Sequence, residues 1–127
     1  MAQKLFALML ALTITLTWIG RSVAQHPATG QVLRVFTTTV LPDKRDQLPK
    51  IVGDIKQLLA ATKGIQWFKV GSDATTGEIV AVTLWNSQAE MEAFVKSDAR
   101  KALNEKNRPL MQGEATTKHY QVSEAKK

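Results

Sequence analysis

Hydrophobic positions alternate most regularly between Glu78 and Trp85. Ile79, Ala81, Thr83 and Trp85 fall on one side of an extended chain, and Val80, Val82 and Leu84 on the other. A strand that is apolar on both sides needs cover on both. Ile65 to Gly71 is rich in β-branched and aromatic residues and predicts a strand just before it. Ser72-Asp73-Ala74-Thr75-Thr76-Gly77 lies between the two. Asp, Ser and Thr favour turns and Gly77 tolerates positive φ, so the pair reads as a hairpin with a longer loop. After Asn86 the period changes. Ser87-Gln88-Ala89-Glu90 matches a capping box, in which the serine accepts from the Glu90 N–H and the glutamate reaches back to the Ser87 N–H. Met91, Phe94 and Val95 then form a helical stripe. Ala99, Ala102 and Leu103 extend it beyond a polar interruption at Ser97-Asp98, where either residue can cap a second helix.

The flanking segments complete the pattern. Val32 to Val40 predicts a first strand, ended by Pro42. Leu48, Ile51, Val52, Ile55, Leu58 and Leu59 recur at helical spacing. Pro49 is harmless in a first turn but damaging further in, so Asp46 rather than Asp43 is the expected N-cap. Lys63-Gly64 supplies a basic last turn and a glycine stop. Beyond Leu103 the stripe fades and Arg108-Pro109 breaks it. Leu110 and Met111 are placed to pack back on the core, Gly113 turns the chain, and Glu114 to Val122 alternates as a last strand. The order βαββαβ defines an α+β, ferredoxin-like fold, an antiparallel sheet with its helices on one face. The apolar residues of the other face predict a partner sheet, most simply a second copy related by a two-fold axis.

The N-terminus reads as a separate object. Lys4 precedes an uncharged apolar run from Leu5 to Ile19, and Ser22-Val23-Ala24 offers small residues for cleavage. This is the pattern of a secretory signal peptide, expected to be cut after Ala24. The apolar run is shorter than the ~20 residues of a spanning helix, so no membrane anchor is expected after cleavage. The mature chain, 25–127, is the length of one domain with a single core. The whole chain holds 17 basic and 11 acidic residues, a formal charge of +6. Lys4 and Arg21 leave with the leader. The remaining bases are scattered among acids without an arginine-rich stripe, which argues against nucleic-acid binding. Cysteine is absent. That excludes disulfides, thiol catalysis and thiolate metal sites in an exported, periplasmic or secreted protein.

With its β-α-β-β-α-β order, the mature chain resembles the antibiotic biosynthesis monooxygenase domain, one of the dimeric α+β barrel families. The resemblance is carried by GIQWFKVGSD and TGE before an apolar strand, and by Trp85-Asn86-Ser87 leading into Phe94-Val95-Lys96-Ser97-Asp98. Members similar to this chain include cofactor-free oxygenases of quinols and aromatic polyketides, haem-degrading enzymes, and proteins without known activity. The resemblance implies a homodimer with one pocket per subunit between sheet and helices. The haem-degrading branch carries a tryptophan where this chain has Phe94, an axial histidine where it has Asn104, and an asparagine near Thr37. All three depart here. Without an imidazole at Asn104 the iron lacks its ligand in that mode, so no haem, and no other cofactor, is expected.

Candidate chemistry is sparse. There is no P-loop, Rossmann fingerprint, HExxH or nucleophile elbow. Of the two histidines, His26 sits beside the expected new N-terminus. His119 lies on a predicted strand. It reads either as a general base that takes a proton from a phenol or quinol, or as a half-exposed histidine on an edge strand. Phe36, Trp67, Trp85 and Phe94 are candidates to line a pocket for a flat aromatic ligand, or to pack in the core or dimer interface. Arg34, inside an otherwise apolar strand, is suited to an anionic ligand group or to a carboxylate partner. Tyr120 reads as a pocket hydroxyl or an interface anchor. Asp43, Asp46, Glu90 and Asp98 cluster at helix starts, and no acid pair has a spacing for a metal. Two functions stand open: cofactor-independent oxygenation of a small aromatic or quinol, with His119 as base, and a non-catalytic periplasmic ligand-binding or stress-related dimer. A packed interior favours the second. An open cavity holding His119 or Arg34 favours the first.

Overall fold

The computed structural model describes residues 30–123. The leader, Met1 to Ala24, His26 and the last four residues lie outside the described residues. Four strands form one antiparallel sheet in the order β2-β3-β1-β4. They are β1 (Val32–Thr39), β2 (Ile65–Ser72), β3 (Glu78–Trp85) and β4 (Thr116–Gln121). Helix α1 (Leu48–Ala60) joins β1 to β2. Helices α2 (Gln88–Val95) and α3 (Asp98–Asn107) join β3 to β4. This is the ferredoxin-like arrangement that the hydrophobic pattern predicts.

The register assigns every strand residue to a face. Across the helix-covered face run the rows Gln121–Val32–Trp85–Ile65, His119–Arg34–Thr83–Phe68 and Thr117–Phe36–Ala81–Val70. The opposite face carries Tyr120–Leu33–Leu84–Trp67 and Lys118–Val35–Val82–Lys69. A register shift between Ile65 and Trp67 moves Trp67 to that second face.

The core lies between sheet and helices in two clusters. One gathers Val32, Leu59, Ala81, Trp85, Met91 and Phe94. The other gathers Val40, Leu48, Ile51 and Ile79. Trp85 is fully enclosed, and its indole Nε1–H donates to Thr83 Oγ1 at 2.7 Å. Its ring centroid lies 5.2 Å from that of Phe94. Truncating such a residue to alanine costs about 3–5 kcal/mol.

Several boundaries differ from expectation for local reasons. β1 ends at Thr39, and Val40 makes one isolated bridge to Met111. A 3-10 turn, Pro42–Gln47, runs straight into α1. Within it the Leu48 N–H already donates to the Arg45 carbonyl, so Asp46 does not cap α1 and Gln47 holds that position without a side-chain bond. Pro49 does fall in the first turn. α1 stops at Ala60, before Lys63, where Thr62 Oγ1 donates to the Leu58 carbonyl at 2.7 Å. Gly64 has φ +91°, and a side chain there would collide with Glu90. Ser87 caps α2 by accepting from the Glu90 N–H at 3.2 Å. Ser97 divides the stripe and starts α3. β4 is shorter than Glu114 to Val122, because its ladder with β1 opens at Thr37–Thr116.

Candidate active site

A cleft of about 630 Å³ opens between β1, β4 and the helices. Phe36, Thr38 and Thr117 from the sheet form its floor, and Ile55, Leu103 and Asn104 from α1 and α3 face them. It shares Phe36, Ile55, Arg100, Leu103 and Asn104 with a small inner recess of about 40 Å³. Arg34, Thr83 and Phe94 are part of the recess wall.

Alternation along β1 explains why Arg34 points inward, since it shares a face with Val32 and Phe36. Arg34 is 5% exposed. Its guanidinium carbon lies 5.4 Å from the centre of the Phe36 ring and 5.9 Å from that of Phe94. Arg100, in the first turn of α3, also sits 5.9 Å from the Phe94 centre. Its Nη1 donates to the Val95 carbonyl at 3.3 Å. Two guanidinium groups therefore share one aromatic ring. The ion pairs among the described residues, Lys106–Asp54 and Arg108–Glu105, involve neither arginine. Burial, and secondarily the charge of Arg100, pull the Arg34 pKa down to about 10. The group stays charged at neutral pH.

His119 stands opposite Arg34 in the register, on the edge strand, and is exposed. It sits on the helix-covered face beside Arg34, and it lines neither the cleft nor the recess. Partial burial and the Arg34 charge hold its pKa below the ordinary 6.5, partly opposed by Glu92. Its imidazole is accordingly neutral at neutral pH.

The structure brings Arg34, Phe36 and Phe94 together in the recess wall and sets His119 beside Arg34 outside it. It separates Trp67 and Trp85 from them. Trp67 is 44% exposed on the helix-free face, so it cannot line this cleft. Trp85 is sealed in the core against Phe94 and lines no opening. Tyr120 also lies on the helix-free face. Thr37 points there too, and Thr38 is the threonine that meets the cleft. Arg100, Asn107, Thr83 and Thr117 were not predicted. Arg100, Leu103, Asn104 and Asn107 are spaced three, four and seven apart, so one helix face joins them, and that spacing was a usable signal. Among the described residues no three His, Asp or Glu side chains gather in a way that could hold a metal ion.

A four-stranded antiparallel sheet with helices on one face and a cleft under them defines an α+β ferredoxin-like protein. Residues 32–106 match the sequence model of the antibiotic biosynthesis monooxygenase family, and the chain belongs to that family. Solved structures share the fold. A protein from Caulobacter crescentus, provisionally named an antibiotic biosynthesis monooxygenase, is 20% identical, with a TM-score of 0.66 over 76% of this chain and 93% of its own. One from Deinococcus radiodurans, named in the same way, is 15% identical, with a TM-score of 0.66 over 76% and 96%. A protein of unknown function from Nitrosomonas europaea is 12% identical, with a TM-score of 0.66 over 78% and 95%. No curated protein matches the chain closely enough to count as a relative.

Proposed function

We propose that this protein is an exported homodimeric oxygenase that acts on a small aromatic phenol or quinol without a cofactor. One observation carries the reading: an open cleft, floored by Phe36, adjoins a recess walled by Arg34, and His119 pairs with Arg34 across the sheet, just outside the lining of either. His119 is the general base. It removes the phenolic proton, and the electron-rich anion then reacts with dioxygen. The balance is one O₂ consumed, with one oxygen atom entering the substrate and the other leaving as water. The substrate itself supplies the two electrons and two protons that water formation needs.

The depressed pKa of His119 suits this role, because the base is free at neutral pH. The helix-free face supports the dimer. Leu33, Val35, Val80, Val82 and Leu84 are only half-buried there, and Trp67 and Tyr120 are exposed. The leader pattern of Met1 to Ala24 supports export to the periplasm or beyond. The rival reading, a ligand-binding dimer without turnover, is favoured by the exposure of His119.

Oxygen uptake with a panel of quinols and phenols, metals chelated, tests the reading. His119→Ala is expected to lower kcat by on the order of 10²-fold while the fold is retained. kcat/KM of the wild type should rise with pH through a pKa below 6.5 and stay flat above it. Robust turnover that the substitution leaves untouched removes His119 from the mechanism.

A further inference from the structure

A buried arginine normally faces a carboxylate. Arg34 does not. It is 5% exposed, and its Nε has no hydrogen-bond partner among the described residues. The recess beside it is lined by apolar side chains, Thr83, Asn104 and a second arginine, Arg100, with no acid among them. The charge that bears on Arg34 is a second cation, Arg100. Two like charges held under one phenyl ring are an unfavourable arrangement for a chain that binds nothing there. Cation–π contact with Phe36 and Phe94 orients the guanidinium groups but does not neutralise them.

We infer that Arg34 and Arg100 form an anion subsite, and that the ligand of the cleft is a planar aromatic carboxylate. The recess holds little more than one small group, a water's share of liquid being about 30 Å³. A carboxylate placed there meets two guanidinium forks, whose geometry suits bidentate pairing, and the hydroxyl of Thr83 and amide of Asn104 stand in the same wall. The wider cleft continues outward past Phe36, Ile55, Leu103 and Met111, which offer a ring system apolar contact, while Thr38, Asn107, Arg108, Glu114 and Thr117 make the rest of its wall polar. A bare inorganic oxyanion would forgo the contact with Phe36, Ile55, Leu103 and Met111. The inference rests on the oxygenase reading in one respect: it names the substrate class of that same cleft, an aromatic acid that enters carboxylate first.

Calorimetric titration of the purified protein with 2-naphthoate, its neutral isostere 2-naphthamide, and inorganic phosphate tests this without any need for turnover. Naphthoate is expected to bind roughly 10- to 100-fold more tightly than the amide, the range for a charge-assisted pair. Phosphate should be weaker than naphthoate. Arg34→Met should reduce naphthoate to the level of the amide and raise the melting temperature of the unliganded protein, since an unpaired buried charge is gone. Arg100→Gln, at a less buried position, should weaken naphthoate while leaving the amide unchanged. Equal binding of acid and amide by the wild type overturns the inference, as does no binding of the acid at millimolar concentration. Phosphate binding as tight as naphthoate also overturns it. Carboxylate preference without oxygen uptake on any aromatic acid refutes the oxygenase and leaves the subsite standing. Turnover of neutral quinols with no such preference does the reverse.

Discussion

Ser97→Ala links a single hydroxyl to the cleft. Ser97 Oγ accepts from the Arg100 N–H at 3.3 Å and donates to the Phe94 carbonyl at 2.7 Å. That carbonyl also receives the Ser97 N–H at 3.0 Å, so it stays satisfied when the hydroxyl is removed. The loss therefore reduces to one helix cap. Alanine at an N-cap costs about 1 kcal/mol, and the long 3.3 Å bond argues against the upper end of the range. Asp98 remains in the first turn and still complements the helix dipole. In a domain of this size the melting temperature should fall by roughly 4–8 °C per kcal/mol. α3 carries Arg100 and Asn104 into the recess, so a frayed first turn also weakens ligand binding. If all of the lost energy falls on the bound geometry, naphthoate affinity drops by roughly 5-fold. Thermal denaturation and calorimetry on wild type, Ser97→Ala and Ser97→Asn read both effects. Asparagine is an equally good N-cap and should restore most of each. A Ser97→Ala melting temperature within about 1 °C of wild type would refute the assignment of Ser97 as the device that positions Arg100.

Two further expectations concern assembly and export. Val82 lies mid-sheet on the helix-free face, in the row Lys118–Val35–Val82–Lys69. Val82→Lys adds a third cation to that row. It should turn a dimer at micromolar concentration into a folded monomer by analytical ultracentrifugation, and a wild type that is itself monomeric would sink the dimer. Mass spectrometry of protein from its native host should find a chain beginning at Gln25. Full-length protein retained in the cytoplasm would contradict export.

Hydrophobic period alone was enough to read the strand and helix order. It could do so where an element buries one face, as β1, β3 and α1 do, because burial leaves a trace at every second or every third and fourth residue; β4, exposed along its length, carries no such trace. The split at Ser97 was legible for a similar reason, since N-caps act through their own backbone. Asp46 failed as a cap because a neighbouring carbonyl, that of Arg45, had already taken the N–H in question.

The cleft was less legible, and the tryptophans show why. Both lie in apolar strands, and local composition does not distinguish a pocket wall from a core or an outer face. A register shift of β2 placed Trp67 on the far side of the sheet, and Phe94 of α2 closed over Trp85. Arg34 could be assigned to the face of Val32 and Phe36 from alternation along one strand. That Arg100 stands beside it and His119 across from it depends on the packing of α3 and on the β1–β4 pairing. The residues concerned are far apart in sequence, and neither contact leaves a periodic mark on the chain.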